Sequence, residues 1–431
     1  MSQYLDFVDF KYKPNKSDLV CLFRVEPRTG ISMNEAIGRV ASESSNGTWT
    51  KLTTLKEHIR KIRGRAFFIS GNLVKIAYPL ELFELGSMPQ IYSAVAGNIF
   101  GMKAVENLRL EDIDFPEKMI RSFRGPQFGI NGIRKFMKVF KRPFTATVPK
   151  PKVGMTTEEH TKVGYEAWVG GIDFLKDDEN LTNQKFNRFE ERAKLCAKMR
   201  NKAEKETGES KDYFINITAE THEMLRRAKI AANYGFKYVM IDMVTAGWAG
   251  LQSLREYCED SKQAIHAHRA MHATFTRNPK HGLSMLALAK SARLVGVDNL
   301  HIGTAVGKLV SPRQEVLAIE REIECQEIEE SFKQKILQQD WYNIKPILAC
   351  SSGGLHPGLV PYVLNMLGND CLLQLGGGIG GHPNGIRAGA KALRQAIDAS
   401  IKGEEIEKAA NHKDNKELKA ALEHFGYEKT I

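Results

Sequence analysis

Tyr238-Val239-Met240-Ile241-Asp242-Met243 is apolar nearly throughout, as a strand covered on both faces should be. It is one of a series of short β-rich segments that begin near Thr145, Ile172, Tyr213, Tyr238, Ala264, Leu300, Pro346 and Leu372, each followed by a helical pattern. The intervening helices carry start and stop signals. Thr156 and Glu159 have capping-box spacing. Met224, Ala228 and Ala231 line one face of a helix that Gly235 can end. Eight strand–helix units of this kind predict an α/β fold, a (β/α)8 TIM barrel. The tail beyond residue 388 is helical and charged and carries no visible chemistry.

The rhythm upstream is different. Tyr4 to Tyr12 alternates loosely enough to predict a strand, and Ser32 can cap a helix whose Ala36, Ile37 and Val40 share a face. Ala66 to Ser70 and Leu73 to Tyr78 flank Gly71-Asn72, a two-residue connection that predicts a hairpin. Tyr92 to Phe100 then reads as a second helix and Leu108 to Phe115 as a closing strand. That order suggests an α+β, ferredoxin-like N-terminal domain over residues 1–135, with the barrel and its tail over 136–431.

Bulk properties narrow the class. The chain has 431 residues, 42% hydrophobic and 26% charged, an ordinary globular composition and more than one average domain. No apolar run approaches the roughly 18 to 20 residues that span a bilayer, so no membrane association is expected. Met1-Ser2-Gln3-Tyr4-Leu5-Asp6 lacks the basic-then-apolar pattern of a signal peptide, which predicts a cytoplasmic protein. The six cysteines are scattered, with no Cys-x-x-Cys pair, and read as reduced, buried thiols. The net charge of +11 raises nucleic acid as a partner, but the basic residues are spread along the chain. The densest stretches, Arg60 to Arg65 and Lys135 to Arg142, read as solvated faces, and no nucleic-acid partner is expected.

A barrel carries its active site at the C-terminal ends of its strands, and the unusual polar residues fall there. Lys150 and Lys152 follow the first strand, and Lys176-Asp177-Asp178-Glu179 ends the second. His266, His268, Arg269 and His272 end the fifth and His301 the sixth; Ser351-Ser352-Gly353-Gly354 follows the seventh and Gly376-Gly377-Gly378 the eighth. Alternation sends Lys176 and Asp178 to the same side, into the barrel mouth. Glu179 has the opposite parity but stands where the strand gives way to a loop. Two carboxylates suit magnesium, whereas an ammonium beside them would repel it. The conflict disappears if Lys176 loses its proton and adds carbon dioxide to become a carbamate; the bland alternative is a salt-bridged lysine–acid cluster. The two glycine runs lie where TIM barrels often bind phosphate, with tight turns as the alternative. Arg269 and His301 are available for a second phosphate. Lys308, in the glycine-bracketed Gly303 to Leu309 loop, reads as a lid cation or a plain surface lysine.

These segments together resemble the ribulose-1,5-bisphosphate carboxylase/oxygenase (Rubisco) large-subunit family over nearly the whole chain. The resemblance is carried by Gly170 to Asn180, His268 to Ala273, Gly303 to Leu309 and Gln374 to Pro383, with Glu43 to Trp49 and Gly97 to Gly101 nearer the N-terminus. It implies that Lys176 is carbamylated by an activating carbon dioxide and holds Mg2+ with Asp178 and Glu179. Lys150 would be the acid/base, assisted by Lys152, and His268 would contact the reacting sugar. Arg269 and His301 would hold one phosphate. Ser352, Gly353 and Gly354, with Gln374, Gly376 and Gly377, would take hydroxyl and phosphate oxygens, and Lys308 the incoming carboxylate. Glu43, Thr48 and Asn98 would reach into a neighbouring subunit's barrel, implying a homodimer or a higher homo-oligomer.

The implied reaction turns ribulose 1,5-bisphosphate and CO2 into two 3-phosphoglycerates, with O2 as a competing substrate. Val148-Pro149-Lys150-Pro151-Lys152 departs from the plant-type pattern, which has a threonine in place of Val148, and looks like the archaeal form III version. That form works without small subunits and implies a role in AMP or nucleotide salvage. The rival is a Rubisco-like isomerase or enolase that fixes no carbon dioxide. Such proteins typically lose part of the second phosphate site or the lid lysine, whereas Arg269, His301 and Lys308 are all present.

Overall fold

The structure, a computed structural model, describes residues 3–50, 52–307 and 312–427. They group into two compact units. The first comprises the chain up to Gly125 with Met271–Val295 and Cys325–Ile344; the second comprises Pro126–Ala270, Gly296–Glu324 and the chain from Lys345 onward. The first unit thus takes two segments from the later half of the chain, which a single cut at residue 135 would have left with the barrel. Long-range pairing draws them in. Gly282–Leu283 adds a short parallel strand to the first unit's sheet, and Lys290 forms a fully buried ion pair with Asp112 at 3.0 Å.

In the first unit, β1 (Leu19–Pro27), β2 (Arg65–Ser70), β3 (Leu73–Tyr78) and β4 (Val105–Asp114) pair in the order β4-β1-β3-β2. All three of these pairings are antiparallel. Helix Met33–Glu43 follows β1 and helix Met88–Val95 follows β3, giving the expected ferredoxin-like βαββαβ order. Ser32 Oγ accepts the Glu35 N–H at 3.2 Å and starts the first helix. Gly71, at φ +58°, turns the hairpin so that Ser70 pairs with Leu73. Two elements differ from expectation. The second helix starts at Met88 and ends at Val95, and Asn98–Gly101 is a separate 3-10 turn. Gln3–Phe7 is a 3-10 helix with no buried residue, not a strand, and Val8 makes only a single bridge to Ala66. The first strand is Leu19–Pro27 instead, whose Leu19 to Phe23 are buried. A fully covered run outcompetes one whose apolar residues do not alternate cleanly.

In the second unit the barrel strands are Phe144–Thr147, Phe174–Lys176, Asp212–Phe214, Tyr238–Asp242, Ala264–His268, Asn299–His301, Leu348–Ser352 and Cys371–Leu375. Neighbours pair in parallel, and the eighth strand returns to the first through Leu372↔Phe144. A parallel bridge between Asn216 and Met240 joins the third strand to the fourth and closes the ring. Thr156 and Glu159 form the expected capping box at the head of helix Thr157–Val169. Gly235, at φ +76°, ends the helix Thr221–Asn233.

The barrel interior is filled from below. Helix Gly129–Met137 sends Ile130, Ile133 and Met137 into one core cluster with Phe144, Phe174, Phe214, Tyr238, Ala264, Leu348 and Leu372. Phe174 stacks on Phe214 at 4.4 Å between centroids. Three buried acids tie this lower end. Asp298 accepts N–H groups from Phe128 (2.7 Å), Gly129 (2.9 Å) and Ile265 (3.0 Å). Asp173 takes a two-pronged guanidinium from Arg142 at 2.6 and 2.7 Å. Asp212 accepts the N–H of Lys237 at 3.1 Å.

Candidate active site

Side-chain alternation carries the core stripe upward into a polar layer. Two residues beyond Phe174 stands Lys176; beyond Met240, Asp242; beyond His266, His268; beyond Cys350, Ser352; beyond Leu372, Gln374. The same inward parity that buries carbon at the foot of the barrel delivers nitrogen and oxygen at its mouth.

Lys176 is 1% exposed, and its Nζ donates to the Asp177 carbonyl at 2.8 Å. Burial pushes this amine below the ordinary lysine range, although Asp242, Glu179 and Asp178 pull it upward. A neutral amine is a nucleophile, which a solvated ammonium is not. Asp178 faces the same interior. Burial alone would raise its carboxyl, but the Lys150 ammonium and two hydrogen bonds from Asn180 hold it below its usual range. Lys150 Nζ stands 3.2 Å from Asp178 Oδ2, and Lys152 Nζ stands 3.9 Å from Oδ1. Glu179, despite its opposite parity, comes round to within 3.9 Å of His268 Nε2.

Asp177 faces the other way and anchors the segment from behind. Its carboxylate takes Arg192 at 3.1 Å, the Asn216 N–H at 2.9 Å and the Tyr213 hydroxyl. His160, which burial holds near a pKa of about 4, bonds that hydroxyl at 3.0 Å. With Asp177 locked outward, Lys176 and Asp178 have only the interior to face.

On the far side, His268 Nδ1 lies 2.9 Å from Asp242 Oδ1. His301 Nδ1 lies 2.8 Å from Ser352 Oγ, and burial holds the His301 ring far below the ordinary histidine range. Burial also lowers the Arg269 guanidinium to about 10, and among the described residues it has no hydrogen-bond or ion-pair partner. A half-buried cation in that state is suited to an anionic ligand. Gly353 and Gly354 have φ of +121° and +80°, where a side chain would be strained. A Cβ at Gly376 would come within 2.9 Å of Lys150 Cε, while Gly377 opens onto free space. The eighth-strand glycines thus leave room beside the Lys150 side chain.

The donor set fits a hard divalent cation on one condition. Among the described residues, no group of three or more His, Cys, Asp and Glu is placed to hold a metal ion. The ionised Asp178 and the neighbouring Glu179 offer two carboxylates, and only an oxygen anion built on Lys176 would supply a third at this spot. Other expected residues fall in the first unit or outside the described residues. Glu43, Thr48 and Asn98 belong to the first unit, with Glu43 and Asn98 exposed. Lys308 falls outside the described residues. His272 sits in the Met271–Val295 segment, also of the first unit, with Nδ1 2.9 Å from Thr276 Oγ1. The sequence reading passed over Asp242, an acid at the end of a strand, although the strand-end rule that selected Lys176 would have selected it too.

Comparison with known proteins bears directly on this geometry. Residues 6–119 match the family model for the ribulose bisphosphate carboxylase large chain N-terminal domain, and residues 129–425 match that for its catalytic domain. The chain is 52% identical to a ribulose bisphosphate carboxylase of Pyrococcus abyssi, covering 98% of this chain and 97% of that one. It is 49% identical to that of Methanocaldococcus jannaschii, covering 98% and 100%. Among solved structures, an octameric Rubisco from Pyrococcus horikoshii OT3, in complex with sulfate ion, superposes with a TM-score of 0.91 at 51% identity, covering 99% and 98%. A dimeric archaeal Rubisco from Hyperthermus butylicus superposes with a TM-score of 0.94 at 47% identity, covering 99% and 100%.

Proposed function

The chain belongs to the ribulose bisphosphate carboxylase large-chain family and is a carbon–carbon lyase of that kind, and from that premise we propose how its own residues divide the work. Lys176 takes up an activating CO2 through its Nζ, releasing a proton, and joins Asp178 and Glu179 around Mg2+. The observation that carries this reading is a buried amine, its pKa lowered by burial, set beside two carboxylates that need a third anionic partner. When bound, Mg2+ would polarise the carbonyl and hydroxyl oxygens of ribulose 1,5-bisphosphate.

Lys176, once carbamylated, is the base that removes the substrate's C–H proton. The resulting enediolate attacks CO2, and hydration with carbon–carbon cleavage then yields two 3-phosphoglycerates; O2 competes for the same enediolate as a side reaction. Lys150, already on Asp178, returns the final proton with Lys152 beside it. Asp242 holds the His268 ring over the reacting sugar. Arg269 and His301 hold one phosphate, and Ser352, Gly353 and Gly354, with Gln374, Gly376 and Gly377, hold hydroxyls and the other phosphate. Lys308 meets the new carboxylate. Glu43, Thr48 and Asn98 complete the barrel of a second copy, so the working form is a homodimer or an assembly of dimers without small subunits. The dimeric and octameric relatives support this. Val148 supports the form III subgroup and, with it, a place in AMP salvage. Among the described residues no helix is long and apolar enough to cross a membrane.

The deciding assay supplies ribulose 1,5-bisphosphate, Mg2+ and labelled bicarbonate. Label in phosphoglycerate is the expected result. Enolisation of substrate without incorporation would instead make the protein an isomerase or enolase on the same barrel.

A further inference from the structure

We propose that Asn216 is a positioning residue for the metal site: its side-chain amide fixes a turn after Asp178 that brings the Glu179 carboxylate to the same side as Asp178. The inference deepens the reading of Glu179 as a Mg2+ ligand and rests on it.

Strand geometry alone would not bring Glu179 inside. Side chains alternate along an extended chain, and so do carbonyls. With Lys176 and Asp178 facing inward, the next residue should point away, as Asp177 does. Glu179 nevertheless comes within 3.9 Å of His268 Nε2, so the chain has turned after Asp178. The Leu181 N–H closes that turn on the Asp178 carbonyl at 2.9 Å. The Asn180 N–H and side-chain amide reach Asp178 Oδ1 at 3.3 and 3.1 Å. All these bonds lie within the turn, and they do not fix the direction in which it rolls.

Asn216 fixes it from outside. Its Nδ2 lies 3.4 Å from the Asp178 carbonyl oxygen and 3.2 Å from that of Glu179. One amide can reach two consecutive carbonyls only if both point to one side, which an extended strand forbids. These carbonyls flank the Glu179 Cα, so holding both sets the direction in which its side chain leaves. The Asn216 main-chain N–H also holds Asp177 Oδ2 at 2.9 Å, and one residue thus grips Asp177, Asp178 and Glu179 together. Asn216 is itself immobilised. It is fully buried, its Oδ1 accepts the Thr218 N–H at 3.0 Å, and its backbone bridges to Met240. The residue type matters. A carboxylate here would set oxygen against two carbonyls, and an aliphatic side chain would leave the Glu179 carbonyl with no donor among the described residues.

The test uses the full-length protein and follows labelled CO2 retained on Lys176 as Mg2+ is titrated, with no sugar phosphate present. Asn216→Asp keeps the shape and removes both amide hydrogens, and Asn216→Leu removes the polar group at similar volume. Each is expected to raise the Mg2+ concentration for half-maximal retention about tenfold. KM for ribulose 1,5-bisphosphate at saturating Mg2+ should change far less. A purely structural role would lower the thermal midpoint and leave the Mg2+ titration where it was. Glu179→Gln is the reference. It raises the Mg2+ requirement too, and adding Asn216→Asp to it should cost little more, because the turn then presents no carboxylate. An unchanged Mg2+ requirement in the Asn216 variants, or costs that multiply in the double variant, would overturn the proposal. Either Asn216 variant decides the matter if the other fails to fold. An unchanged requirement in Glu179→Gln alone would instead remove the reading of Glu179 as a ligand, and this inference with it.

Discussion

The two ends of the barrel treat charge in opposite ways. At the lower end every buried acid named above is met by partners in direct contact. Arg142 grips Asp173 with both prongs, and three N–H groups converge on Asp298. At the upper end Lys150 reaches Asp178, but the other nitrogen groups are left short. Lys152 stands 3.9 Å from Asp178, Arg269 has no partner among the described residues, and Lys176 has a carbonyl oxygen in place of a carboxylate. Charge that is satisfied within the protein holds the fold; charge that is not is held ready for something from outside.

Four experiments press on that contrast. The largest effect is expected from Lys176→Ala, which should cut carboxylation by about a thousandfold or more while leaving the thermal midpoint close to that of the parent. Full turnover without an added rescue agent would show that the upper end does not work through this amine. Asp173→Ala is the mirror experiment. It strands Arg142 without its acid and should cost about 3–5 kcal/mol of stability, read by denaturant unfolding, with kcat of the surviving folded protein unchanged.

A pH series sharpens the comparison further. Only the deprotonated Lys176 amine can add CO2, and burial has lowered its pKa. Uptake of labelled CO2 should therefore rise with pH and level off below the range of a solvated lysine. A midpoint at or above that range would mean the site does not use its burial. Thr156→Ala tests whether every residue near the upper end is functional. Removing this capping hydroxyl should cost only about 1 kcal/mol of stability and leave KM and kcat alone. Chemistry, on this view, belongs to the inward stripe and not to the whole rim.

Much of this arrangement was readable beforehand, for reasons that differ by element. The barrel strands announced themselves because two-face burial makes parallel strands short and apolar. Lys176 and Asp178 faced inward as alternation required. Tyr4 to Tyr12 misled because its apolar residues are spaced for neither strand nor α-helix. Leu19 to Phe23 went unread because a run buried on both faces shows no alternation. The transfer of Met271–Val295 and Cys325–Ile344 to the first unit depends on contacts between residues far apart in the chain, such as Lys290 with Asp112. Local pattern carries no trace of these. Asp242 was hidden inside a segment read only for its apolarity. The grip of Asn216 on Asp178 and Glu179 depends on how the third strand lies beside the second, which no single segment reveals.

The back-to-back placement of Asp177 against its neighbours has an evolutionary corollary. Inserting or deleting one residue upstream in the second strand would exchange the roles of odd and even positions. The locking acid would then point at substrate, and the activating amine would be sealed against Arg192. Length change is therefore barred to this strand even where point replacement is tolerated, and diversification in relatives is expected to concentrate in the loops beyond it.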